Sequence, residues 1–248
     1  MAITTIPRIR PTSVGRDGVA WPKAQPFFPR PADRMGRRSR HEYADPTLAA
    51  RHLTGRGAGK DNRRTGEQIN PANPRADNKW GQILEIVPPR VNGRPDHTAT
   101  ECTWEFFLLA GDPGEARHSA RYAGPVSRNG WLACPDNIAF DSKGRIWIAT
   151  DGAPSNAGVA DGLYGADTMG FGRALTRCFY QAPTGAEVCG PILTPDDTTV
   201  FLAIQHPGED AGSTFEKPST RWPDFKDDMP PRPSVIAITK KGGGTIGS

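Results

Sequence analysis

Apolar and polar positions follow two different patterns in this chain, and the change falls near residue 78. Beyond it, short runs alternate with a period of two and stop at Gly, Pro or Asp, as strands joined by tight turns do. Trp80 to Val87 (WGQILEIV) predicts a strand ended by Pro88-Pro89. Residues 100–110 (TECTWEFFLLA), rich in β-branched and aromatic side chains, predict a second, closed by Gly111-Asp112-Pro113. Pro233 to Thr239 predicts another, followed by a Lys240-Lys241-Gly242-Gly243-Gly244 turn. The segment between Gly208 and Pro231 has few apolar residues and predicts a surface loop.

Two stretches share one design. Cys134 to Phe140 leads through Asp141-Ser142-Lys143-Gly144 to Arg145-Ile146-Trp147-Ile148-Ala149-Thr150. Cys189 to Pro195 leads through Asp196-Asp197-Thr198-Thr199 to Val200-Phe201-Leu202-Ala203-Ile204-Gln205. Each predicts a hairpin with an Asp-initiated turn. The spacing between them suits a propeller blade of four short strands better than a sandwich pair. The predicted class is therefore all-β, a partial β-propeller of roughly three blades with an irregular N-terminal region.

The first sixty residues carry no such alternation. They hold basic clusters (Arg37, Arg38, Arg40), scattered prolines, and one short helix-like piece at residues 46–53. Irregular or disordered structure is expected for residues 1–61, and blades for residues 62–248.

Composition agrees with many turns: 28 glycines and 25 prolines make roughly a fifth of the chain. A pI near 9.0 invites a nucleic-acid partner. The charge is unevenly placed, however. Residues 1–64 hold 14 Lys and Arg against 5 Asp and Glu, while residues 65–248 hold 17 against 22. The strand-rich part is thus mildly acidic, and no nucleic-acid partner is expected for it. No run of apolar residues is long enough for a membrane span, so no membrane partner is expected. The N-terminus shows no recognisable export signal. Four cysteines (Cys102, Cys134, Cys178, Cys189) lack zinc-site spacing, and buried thiols are expected, with a disulfide left open.

Acidic or amide residues at the starts of inner propeller strands converge on one axis, which is how oxygen ligands are gathered for a hard cation. Asp136 and Asn137 open one unit, Glu187 opens the next, and Glu85 lies in the strand after Trp80. These four are the candidate metal ligands. Asp141, Asp151, Asp196 and Asp197 sit at turns, where local hydrogen bonding is the expected role. His206, at a strand end before Pro207-Gly208, reads as structural, with a role in the channel as the alternative. No nucleophile elbow, P-loop or dinucleotide fingerprint is present.

Several motifs in order resemble the PhoX-type alkaline phosphatases: NPRADNKWGQI (73–83), CPDNIAFDSKGRIWIATDG (134–152), GAEVCGPILTPDDTTVFLAIQHPGE (185–209), and the ending STRWPDF…RPSVIAITKKGGGTIGS. The likeness covers about residues 62–248. It implies a large β-propeller enzyme of the periplasm that hydrolyses small phosphate monoesters with calcium and iron ions. By position it makes Asp136, Asn137 and Glu187 ligand candidates. Arg75, the arginine of the NPR segment, becomes a substrate-binding candidate that could instead anchor a loop. The family's acidic segment before NPR is replaced here by the Arg-rich stretch from Met35, which suggests an out-of-frame origin for residues up to about 60. The resemblance then implies a truncated, weakly active or inactive copy with open blade edges that invite self-association. A non-enzymatic propeller module binding calcium or a partner is the alternative.

Overall fold

The computed structural model describes residues 2–6, 50–52, 74–76 and 78–248. The strands are β1 (Ala2–Ile6), β2 (Ala50–His52), β3 (Gln82–Val87), β4 (Arg90–Val91), β5 (Arg94–Pro95), β6 (Thr103–Leu109), β7 (Pro135–Phe140), β8 (Ile146–Thr150), β9 (Gly162–Ala166), β10 (Arg177–Gln181), β11 (Glu187–Leu193), β12 (Thr199–Gln205) and β13 (Ser234–Thr239). Among the described residues one short α-helix, α1 (Ala153–Ala157), joins β8 to β9. The described chain is all-β, as the alternation predicts. Both Asp-turn hairpins form, as β7–β8 and β11–β12.

Strands β7 to β10 make an antiparallel four-stranded sheet in the order β10-β9-β8-β7. Strands β11, β12 and β13 make a second, and β1 adds to its far edge, with Ala2 opposite Thr239. A third sheet has the order β2-β3-β6. The ribbon β4–β5 turns at Asn92 and Gly93, both with positive φ (52° and 77°), as a two-residue hairpin loop requires.

Two of the described strands, β1 and β2, lie in the region read as irregular. Residues 50–52, inside the helix-like piece, form β2 and pair with β3, Ala50 opposite Glu85 and His52 opposite Ile83. A sheet edge offering a ladder of backbone groups outweighs weak local helix preference. The other residues of that region lie outside those described.

The period of two in β8 explains how the sheets stack. All five of its residues are buried. Ile146 and Ile148 face a core with Ile83, Phe107, Leu108 and Tyr164, which joins the third sheet to the first. Trp147 and Ala149 face the opposite core, with Leu163, Val188, Leu202, Ile204, Ile236 and Ile238, which joins the first sheet to the second. The β7–β10 sheet is therefore covered on both sides. Each fully buried Ile or Leu contributes about 1.5–3 kcal/mol by leaving water.

Strands β7 and β11, each at an edge of its own four-stranded sheet, lie next to one another. Two of the candidate acids, Asp136 and Glu187, ride on these two strands.

Candidate metal centre

Both of these edge strands are irregular. The register of β7 against β8 shifts between Pro135 and Ile138, and that of β11 against β12 shifts between Cys189 and Ile192. Such bulges re-aim side chains and are common beside functional sites. The Asn137 Oδ1 accepts the Gly190 N–H at 2.9 Å, so an amide in one bulge ties down the backbone of the other.

The turn leading into β11 depends on Gly185. Its φ is +69°, and a Cβ there would come within 2.6 Å of both the Asp210 Oδ2 and the Glu209 backbone nitrogen. Only glycine fits this turn without displacing the 206–210 backbone.

Asp136, Glu187 and Cys189 converge here, each with one potential ligand atom within 4.8 Å of the others. Glu187 is 8% exposed and Cys189 9%. The Cys189 thiol donates to Glu187 Oε1 at 2.6 Å and accepts from Gln205 Nε2 at 2.9 Å. His206 Nε2 lies 2.9 Å from Glu187 Oε2. The same ring's Nδ1 lies 2.8 Å from Glu209 Oε2 and 3.3 Å from the Gly185 carbonyl.

Electrostatics follow from this crowding. Burial, then the bond to Glu187 and the charges of Glu187 and Asp136, push the Cys189 thiol up to about 12. Burial alone would lower the His206 pKa. The bond to Glu187, the Gly185 carbonyl and the charge of Glu209 outweigh it, and His206 titrates above its ordinary value. Two carboxylates, a thiol and an imidazole at this spacing form a donor set of mixed hardness.

Of the candidate ligands, Asp136 and Glu187 are brought together. Asn137 is beside them, with its amide oxygen on the Gly190 N–H. Glu85 stands elsewhere: it faces Glu105 across the β3–β6 ladder, and both carboxylates reach the Arg173 guanidinium. Arg75 is 7% exposed. Its Nη1 donates to the carbonyls of Ala110 at 2.7 Å and His118 at 2.8 Å, and its Nη2 donates to that of Gly81. Burial lowers its pKa to about 10. Its Nε, like the Trp80 Nε1, is buried without a hydrogen-bond partner.

Of the turn aspartates, Asp141 and Asp196 act locally as expected, while Asp197 does not: its carboxylate accepts from Ser142 in the other hairpin turn. Asp141 holds the backbone of Lys143 and Arg145 and the Trp147 indole, and Asp196 holds Thr194 and Thr198.

The spacing of cysteines alone gave no reason to pick Cys189 or to connect it with His206. A usable signal was present: Cys189 is two residues from Glu187, hence on the same face of one strand. His206 follows β12, whose Gln205 pairs with Glu187.

A family model described as alkaline phosphatase PhoX matches residues 32–208. The matched span takes in residues 32–61, which the strand pattern left outside. The structure of Pseudomonas fluorescens PhoX in complex with vanadate, a transition state analogue, is similar at 31% identity and a TM-score of 0.65. The alignment covers 82% of this chain and 34% of that one, so this chain spans about a third of that relative's length. No curated protein matches the sequence.

Proposed function

The chain belongs to the PhoX family of alkaline phosphatases, and on that premise we propose that Asp136, Glu187 and Cys189 supply part of a metal centre for the hydrolysis of small phosphate monoesters. The convergence of these three groups on adjacent strands carries the reading. The three stacked antiparallel sheets are read as blades of a β-propeller, with β7 and β11 as the strands nearest its axis.

The donors can be weighed against the two metals the resemblance implies. Calcium takes oxygen ligands only, six to eight of them. Among the described residues two carboxylates converge, so calcium at this point needs further oxygens from outside them. Iron accepts carboxylate together with imidazole or thiolate. The set around Cys189 therefore suits iron better than calcium. Asp136 and Glu187 would hold the ion, and Cys189 would join them on losing its proton. A bound cation of this kind polarises phosphoryl oxygens and orients an in-line displacement.

The chain's own residues have a definable part. Asp136 and Glu187 present negative charge, which by itself repels a phosphate dianion. Binding of substrate at this point thus depends on charge neutralisation. His206 and Gln205 fix the orientation of Glu187 and Cys189, and Asn137 keeps the two strands together.

With two carboxylates and a thiol as the convergent set, metal binding by the isolated chain is expected to be weak and turnover slow. Periplasmic location and self-association through an open strand edge, such as β10, belong to the same reading. Among the described residues no helix is long and apolar enough to cross a membrane.

The test is metal analysis of the purified chain alongside p-nitrophenyl phosphate hydrolysis at alkaline pH with Ca²⁺ and iron. Bound metal and any turnover should both fall in Asp136→Ala and Glu187→Gln. Metal content indifferent to both substitutions, or no bound metal in the unaltered chain even after equilibration with excess Ca²⁺ or iron, would overturn the assignment.

A further inference from the structure

The Glu187 carboxylate is held by both oxygens. Oε1 accepts the Cys189 thiol, and Oε2 meets His206 Nε2 at 2.9 Å. The imidazole is gripped from the other side by Glu209 Oε2 and the Gly185 carbonyl, both acceptors, so each ring nitrogen faces an acceptor. This placement has a cost in backbone energy: His206 sits at φ +33°, an unusual region for a residue with a side chain. The ring it presents reaches back across the strand pair to a carboxylate whose side chain is only 10% exposed.

We propose that His206 is a positioning residue that reserves Glu187 Oε2 for itself and so restricts Glu187 to ligating a metal ion through Oε1 alone. The inference rests on the metal-centre reading given above. The thiol proton on Oε1 is removable, because a cation there replaces it. The imidazole on Oε2 is not displaced in the same way, since Glu209 and the Gly185 carbonyl anchor it. Glu187 is therefore asymmetric before any ion arrives: one oxygen is open to exchange and the other is committed. Partners that orient a ligand in this manner typically alter metal affinity by about 10–100-fold when removed.

Two substitutions separate positioning from mere turn structure. In His206→Asn the amide stands where Nδ1 was, keeps a donor for Glu209 and the Gly185 carbonyl, and suits a positive φ, yet it cannot reach Glu187. In His206→Gln the amide stands where Nε2 was and can donate to Glu187. Each chain, with ¹³C-carboxyl-labelled glutamate, is titrated with Zn²⁺ by calorimetry. The metal-minus-apo infrared difference spectrum then reports the separation of the carboxylate stretches, wide for one-oxygen ligation and narrow for two. The unaltered chain should show the wide separation. His206→Asn should show the narrow one, with affinity reduced about tenfold or more. His206→Gln should restore both readings. Glu209→Gln, at an exposed carboxylate, should give a partial loss and serves if His206→Asn melts early.

Identical spectra and affinities for His206→Asn and the unaltered chain would overturn the positioning role while leaving the metal centre standing. Failure of His206→Gln to differ from His206→Asn would do the same. Absence of Zn²⁺ binding by the unaltered chain would overturn the metal centre, and this role with it.

Discussion

Both oxygens of the Asp197 carboxylate accept the Ser142 backbone N–H at 3.2 Å, and the carboxylate also accepts the Ser142 hydroxyl, joining two hairpin turns 55 residues apart. Ser142 lies in the β7–β8 turn and Asp197 in the β11–β12 turn, so the contact ties the two repeated units together beside their shared core. Asp197 is 3% exposed, has φ +54°, and its own carbonyl accepts the Ile246 N–H at 2.7 Å. Asp197→Ala should therefore destabilise the chain by about 1.5–3 kcal/mol in urea titration, the range for hydrogen bonds to a charged group. Ser142→Ala should cost about 1 kcal/mol, and the double variant less than the sum of the two. Strict additivity would mean that the turns are not coupled through this pair.

Arg75 gives a second expectation. Its guanidinium holds three backbone carbonyls from separate parts of the chain and lies 5.8 Å from the Trp80 ring centroid. Lysine offers a point charge in place of a planar fork. Arg75→Lys should lower the melting midpoint visibly, and Arg75→Ala should cost about 3 kcal/mol or more by leaving buried carbonyls unpaired. A stability loss without change in Zn²⁺ affinity would identify Arg75 as a loop anchor. Loss of phosphate or vanadate binding in a folded Arg75→Lys chain would point instead to a part in substrate binding.

His118 makes stability depend on pH. Its ring is buried against Trp80, with centroids 4.2 Å apart, and Nδ1 accepts the Asp112 N–H at 2.9 Å. Burial, then the charge of Arg117, lowers its pKa below the ordinary 6.5. The folded chain thus binds this proton less readily than the unfolded one. Stability should be level above pH 6.5 and fall as pH drops through the depressed value. His118→Asn keeps an acceptor for the Asp112 N–H and does not titrate. Thermal melts between pH 8 and pH 5 should slope less in that variant, and an unchanged slope would assign the acid sensitivity to other groups.

Cys189 should set the metal preference. The metal-free thiol has a pKa of about 12. Cadmium binding through sulfur must therefore release a proton, and apparent affinity should rise by about a factor of ten per pH unit. Cys189→Ser should weaken Cd²⁺ binding by about tenfold or more, remove that dependence, and leave Ca²⁺ nearly unaffected. Calorimetry in buffers of different protonation enthalpy counts the proton. A serine variant that binds Cd²⁺ as before would exclude the sulfur as a ligand.

Strand alternation made much of the fold legible. Residues 134–140, 146–150, 200–205 and 234–239 read as strands because a strand with buried neighbours shows its period openly. The piece at residues 46–53 read as a helix because nothing local reveals that β3 offers an edge to residues 50–52. The site was legible in part: Asp136 and Glu187 stand out as acids at strand starts. The fate of Glu85 was not, because Arg173 comes from 88 residues away. The bulges in β7 and β11 were equally hidden, since one extra residue in a ladder is a property of pairing and leaves no mark on composition.

The Asn137–Gly190 bond has a consequence for which ions the centre admits. Oxygen ligands sit about 2.0–2.1 Å from Mg²⁺ and about 2.3–2.6 Å from Ca²⁺. Donors on independently moving loops close around either. Asp136 and Glu187 ride on strands joined beside them by this bond, which limits how far the two backbones can part. If the proposed centre holds an ion, that limit favours one ionic radius over another as a macrocycle does, so Asn137→Ala should blunt discrimination by size before it abolishes binding.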